Sequence, residues 1–282
     1  MENQTEVKPR RKFQDSIFGI ILFSLLIMIA SGLILVDDNA MPYITNPDIR
    51  YIIFAYALRI TEILIMLIIF SIFKRTRPLL DKFTLKHNKL IPGLIIGICL
   101  NGICVLIAIF HKDLTLSYQG YDIGILLFAL LSVGIQSASE EILTRLYMFQ
   151  MLIKRYKSPW VAILTNSILF GILHLFNEGV TVTAIISVIA IGILLSILVY
   201  IFDDIWIAIG LHTGWNFMQA FILGLPNSGE VSTYSVFKIV NAKNSLLYDT
   251  TFGIEATITA ITVIAIMSFL FWHFSKKEAK TS

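Results

Sequence analysis

The chain is short of charge. Only 15% of its 282 residues are Asp, Glu, Lys or Arg, while 56% are hydrophobic and the mean hydropathy is +0.79. A soluble globular domain is nearer half apolar and about a quarter charged, so a water-soluble domain is excluded. Cysteine is scarce as well: Cys99 and Cys104 are the only two. They stand five apart in the apolar segment 90–110 and do not stack on one helix face, so both read as buried thiols and not as a disulfide. No internal repeat, low-complexity tract or second domain breaks the chain. The reading is an all-α polytopic membrane protein, a bundle of about eight transmembrane helices in one domain over residues 16–273. Its surroundings are the lipid bilayer of a cell membrane, and no nucleic-acid partner is expected.

Spans are expected at about 16–36, 51–73, 90–110, 122–152, 160–176, 181–202, 205–223 and 253–273. The first follows a basic stretch, as a signal peptide would. It is too long for such a segment and ends at Asp37-Asp38 without a small-residue cleavage site, so it reads as retained. Positive charge gathers at Lys8 to Lys12, at 74–89, at 154–157 and at Lys276-Lys277, whereas the loops 37–49, 177–180 and 224–249 are poor in it. Eight spans put all four basic segments on one side, making 1–15 and 274–282 cytoplasmic segments. Reporter fusions at residues 40 and 235 then read as external; a cytoplasmic reading at both sinks the eight-span scheme. The chain, rich in Lys and Ile and poor in Pro, has a bacterial composition.

Ionisable groups inside these spans mark the place of function, because each costs on the order of 2.5–3.5 kcal/mol at mid-bilayer depth. The fourth span holds Glu140, Glu141 and Arg145. Positions four apart share a helix face, so Glu141 pairs with Arg145, and Glu140, about 100° round the helix, is left over. The fifth span carries His174; the seventh carries His212 and Asn216, again four apart. Counted from the cytoplasmic ends, Glu140, His174, His212 and Asn216 lie roughly 10–21 Å deep, at 1.5 Å per residue. Each alone is as readily a link between helices. Together with an unpaired glutamate they suit a hydrolase that activates water: a carboxylate base, imidazoles to orient it, and an amide to donate to an oxyanion. Arg59 and Glu62, three apart in the second span, read as a mutually neutralised pair.

Other signatures are missing. There is no His-Glu-x-x-His zinc helix and no presenilin-type Gly-x-Gly-Asp, and Ser137 and Ser139 lack a glycine-flanked nucleophile context. Two metal readings stay open. Glu140, His174 and His212 could hold Zn²⁺ with water in the fourth position, or Glu140 acts as the base without metal. Two other classes also stay open: a transporter or proton relay using the same buried Glu and His, and a non-catalytic immunity or binding protein.

The pattern Glu140-Glu141-x-x-x-Arg145, Phe170-x-x-x-His174 and His212-x-x-x-Asn216 resembles, in order and spacing, the three motifs of the CAAX-protease and bacteriocin-processing (Abi) family of intramembrane proteases. The resemblance covers 140–216. It implies an eight-helix core and an endopeptidase acting on a peptide or membrane-anchored protein. Glu140 is then the water-activating base and Asn216 part of the oxyanion site. His174 and His212 help to bind or polarise the water or the carbonyl, and Glu141 and Arg145 are mainly architectural.

Overall fold

The structure, a computed structural model, describes residues 16–32, 43–56, 59–84, 88–156 and 158–281. The basic N-terminal segment, Lys86, Lys157, Asp37, Asp38 and the reporter position at residue 40 fall outside them. Helices run in chain order as α1 (Ile17–Gly32), α2 (Pro47–Ala55), α3 (Ile60–Ile72), α4 (Pro78–Thr84), α5 (Leu90–Phe110), α6 (Ile123–Glu141), α7 (Gln150–Arg155), α8 (Pro159–Leu173), α9 (Val182–Phe202), α10 (Trp206–Phe217) and α11 (Ile258–Thr281). The stretch Ile142–Phe149 between α6 and α7 is π-helical, as is Met218–Ile222 after α10.

This is an all-α polytopic membrane protein. Among the described residues five helical stretches are long and apolar enough to cross a bilayer: Pro47–Ile72, Leu90–Phe110, Ile123–Arg155, Val182–Phe202 and Ile258–Ser275. Ile17–Ile27 and Pro159–Leu173 are apolar but shorter. At 1.5 Å per residue, 21 residues of α5 or α9 reach about 31 Å, the thickness of the hydrocarbon core.

The helices start where short polar side chains cover free backbone N–H groups. Asp122 accepts from Ile125 N at 3.1 Å, Thr181 from Ala184 N at 3.1 Å, and Asn46 from Asp48 N and Ile49 N at 2.9 and 3.1 Å. Asp203, in the left-handed region at φ 48°, ends α9.

Several boundaries differ from the sequence reading. The second span is two helices, α2 and α3, with Arg59 at the start of the latter. The fifth ends at Leu173, so His174 caps the helix and does not sit inside it. The final helix continues to Thr281 through the residues read as a tail. Cys104 is buried, but Cys99 is exposed on the side of α5.

A small antiparallel sheet joins β1 (Leu114–Tyr118) to β2 (Phe237–Ala242), with a bulge between Thr115 and Leu116. Both strands lie in stretches read as loops; the partners are more than a hundred residues apart, beyond any local turn signal. Asp113 anchors the pair. Its carboxylate meets Lys243 Nζ at 2.8 Å, Ser245 Oγ at 2.6 Å and His111 Nδ1 at 3.0 Å. The Lys243 ammonium, then the Ser245 hydroxyl, hold this carboxyl well below the usual range.

The tightest contact in the bundle joins α5 to α10 through glycines. A Cβ at Gly93 or Gly97 collides with the carbonyl oxygen of Ile207 or Leu211, and one at Gly210 or Gly214 with that of Leu90 or Leu94. Two small-xxx-small pairs therefore face each other, and the backbones touch. Asn101 on α5 extends the seam, donating to Gln219 Oε1 at 2.7 Å. His212 and Asn216 each lie two residues past a seam glycine, roughly 200° around the helix. With one face of α10 fixed against α5, these two side chains are turned the other way.

Candidate active site

They turn into a cavity of about 270 Å³, lined by Glu140, His174, His212 and Asn216 together with Arg59, Glu62, Gln136, Asn227, Glu230 and Glu255. The four residues singled out on three expected spans are thus brought together. Glu141 and Arg145 are not on the cavity wall. They lie behind it, both at 0% exposure.

The ion pair is as the spacing required, with Arg145 Nη1 3.0 Å from Glu141 Oε1. The same guanidinium donates to Thr144 Oγ1 at 2.9 Å and to the Gly192 carbonyl at 3.3 Å, and stacks 4.5 Å from the Phe170 ring. Gly192 has to be small: a Cβ there comes within 3.2 Å of Arg145 Nη2 and 3.1 Å of Ser167. The buried cation is thus contacted from α6, α9 and α8 at once, although its Nε has no hydrogen-bond partner among the described residues.

Glu141 does more than neutralise Arg145. Its Oε1 also accepts from His212 Nδ1 at 3.0 Å. That contact fixes the imidazole ring and turns Nε2 toward the cavity, where it stands 3.9 Å from Glu140 Oε2. The other oxygen, Glu140 Oε1, accepts from Gln136 Nε2. Oε2 has no hydrogen-bond partner among the described residues. His174 contacts the Phe170 carbonyl through Nδ1 at 2.8 Å, so its Nε2 is left to the cavity. Phe170 supports both imidazoles, with its ring centroid 4.7 Å from that of His174 and 6.2 Å from that of His212.

Among the described residues no three His, Cys, Asp or Glu side chains lie together as a metal-holding group. Each imidazole has its Nδ1 engaged and its Nε2 open to the cavity, where that nitrogen can orient water or ligate an ion.

Several lining residues lay outside the sequence reading. Glu255, in the short turn Ile254–Ala256 before α11, accepts from Trp215 Nε1 at 3.0 Å and from Ser228 N and Oγ at 2.8 and 2.7 Å. A lone acid at the start of the eighth apolar span was the available signal. Arg59 and Glu62 do pair, at 2.6 Å, and the pair sits on the cavity wall.

Comparison with known families agrees with the motifs. Residues 122–218 match the family model for type II CAAX prenyl endopeptidase, Rce1-like. That stretch contains all six of Glu140, Glu141, Arg145, His174, His212 and Asn216. Neither the curated proteins nor the solved structures yield a match.

Proposed function

We propose that the chain, whose residues 122–218 are of the Rce1-like CAAX endopeptidase type, hydrolyses a peptide bond inside the membrane with Glu140 as the base. One observation carries this reading: Glu140 Oε2 and His212 Nε2 face each other across 3.9 Å in the cavity. The Glu141 carboxylate only accepts, so it takes the N–H of His212 at Nδ1. In its neutral form, the one that can orient a water by accepting from it, the imidazole then presents a lone pair at Nε2. Two acceptors thus face one another, and a water about 2.8 Å from each donates one proton to either side. Its own lone pairs are left to point at a bound carbonyl.

Attack transfers the water's proton to Glu140 Oε2, and the same carboxyl returns it to the leaving amine as the tetrahedral intermediate collapses. The developing oxyanion takes a hydrogen bond from the Asn216 amide. His174 Nε2 receives the substrate N–H from the α8 side. Its substrate is a peptide or a membrane-anchored protein that reaches the cavity within the bilayer.

The test is cleavage of an internally quenched peptide by purified protein in detergent, with and without a prenylated C-terminal cysteine. Protein stripped of metal by chelation is expected to keep its rate. A rate lost on stripping and restored by stoichiometric Zn²⁺ overturns the glutamate mechanism.

A further inference from the structure

Three side-chain amides run in series into the base. Asn227 Nδ2 donates to Asn216 Oδ1 at 3.2 Å, Asn216 Nδ2 donates to Gln136 Oε1 at 3.3 Å, and Gln136 Nε2 donates to Glu140 Oε1. The direction of this series is set chemically. An ionised carboxylate only accepts, so Gln136 must turn its NH₂ to Glu140 and its oxygen to Asn216. Asn216 must then offer NH₂ to Gln136 and oxygen to Asn227, and Asn227 must offer NH₂. The charge on Glu140 fixes the orientation of all three.

The far end is held in place. Asn227 and Glu230 exchange backbone hydrogen bonds of 2.8 and 3.0 Å. Ser228, next in sequence, has φ +50°, a left-handed conformation unusual for a residue with a side chain. It is kept there from three directions. Glu255 takes its N–H and hydroxyl, and Asn177 Nδ2 reaches its carbonyl at 3.0 Å. Glu255 is also bonded to Trp215, the neighbour of Asn216 on α10. Such over-determined strain is found where geometry matters to a site.

We propose that Gln136 and Asn227 are positioning residues of the hydrolytic site. By holding Oε1, Gln136 makes Oε2 the oxygen that takes the water's proton. By holding Oδ1 of Asn216, Asn227 keeps that amide from turning over, so its second N–H is aimed at the substrate. This rests on the hydrolase reading above, and it assigns work to a loop outside the matched segment 122–218.

The experiment is a double-mutant cycle with Gln136→Met and Asn227→Leu, which keep bulk and remove the amides. Wild type and Glu140→Gln are run beside them on the quenched peptide. Each single variant is expected to lose about tenfold in kcat, one hydrogen bond's worth of rate, with KM within about twofold of wild type. The double variant loses less than the product of the two single losses, because the residues are coupled through Asn216 in one hydrogen-bonded series. A merely structural pair lowers the melting temperature and leaves kcat of the folded protein intact; that result, or multiplicative losses in kcat, overturns the proposal. Melting temperatures of wild type, the two single variants and the double variant keep the test separate from catalysis. If wild type is no faster than Glu140→Gln, the hydrolase reading fails. Non-additive melting shifts between two residues that do not touch still uphold the amide series, and additive shifts reject it.

Discussion

Glu140→Gln inserts and melts like wild type but cleaves about 10²–10⁴-fold more slowly, the range expected when a positioned general base is removed. The substitution is close to isosteric. Its amide oxygen still accepts from Gln136 Nε2, and the Thr144 hydroxyl still donates to the backbone carbonyl of residue 140 at 2.6 Å. Nothing on the hidden side of the wall changes, because Arg145 and His212 Nδ1 are held by Glu141. The proton acceptor facing His212 Nε2 is lost, and with it the charge that fixes the direction of the amide series. The fall should lie in kcat, with KM little changed. Cleavage rates beside detergent melting curves decide it. A variant within about threefold of wild type sinks the assignment of Glu140 as base.

Glu141→Gln fails differently, by losing stability as well as rate. Arg145 is 0% exposed and keeps its charge at every accessible pH, so the substitution leaves a buried cation without a counter-charge. Breaking such a pair costs about 3–5 kcal/mol. The Thr144 hydroxyl and the Gly192 carbonyl remain as partners, but both are neutral. Activity falls too, because an amide can offer His212 Nδ1 either its oxygen or its NH₂, and the carboxylate's unambiguous hold on the tautomer is gone. Replacing Glu141 and Arg145 together by uncharged residues should recover part of the stability and none of the rate. Melting temperature and yield separate these outcomes. A stable, inactive Glu141→Gln beside an active Glu140→Gln reverses the two roles.

The motif residues were legible because each breaks a strong local rule. An unpaired Glu140 in an apolar span is costly, and four-residue spacing alone separates it from Glu141. What spacing could not show was the second use of Glu141 Oε1 on His212, because that contact crosses from α6 to α10. Helix periodicity places neighbours on one helix and is silent about the next. The same holds for Asn227 and Ser228, which reach the site from a loop read only as polar, and for Glu255 at the start of the eighth span. The π-helical stretch Ile142–Phe149 carries no distinctive composition and in sequence is indistinguishable from ordinary span. The seam between α5 and α10 was visible as Gly93-x-x-x-Gly97 and Gly210-x-x-x-Gly214, yet neither pair names its partner.

That seam sets a limit on modularity. The stretch that matches the endopeptidase family begins at residue 122, after α5 has ended. The backbone surface against which α10 is registered therefore lies outside the matched segment. A fragment confined to residues 122–218 keeps every motif residue but exposes the groove over Gly210 and Gly214 to lipid. Glu141 and Gln136 are still there to bond His212 and Asn216, but the backbone surface that registers α10 is not. The geometry of the candidate site is a property of the whole bundle, and a boundary drawn at the motif edges cuts through its foundation.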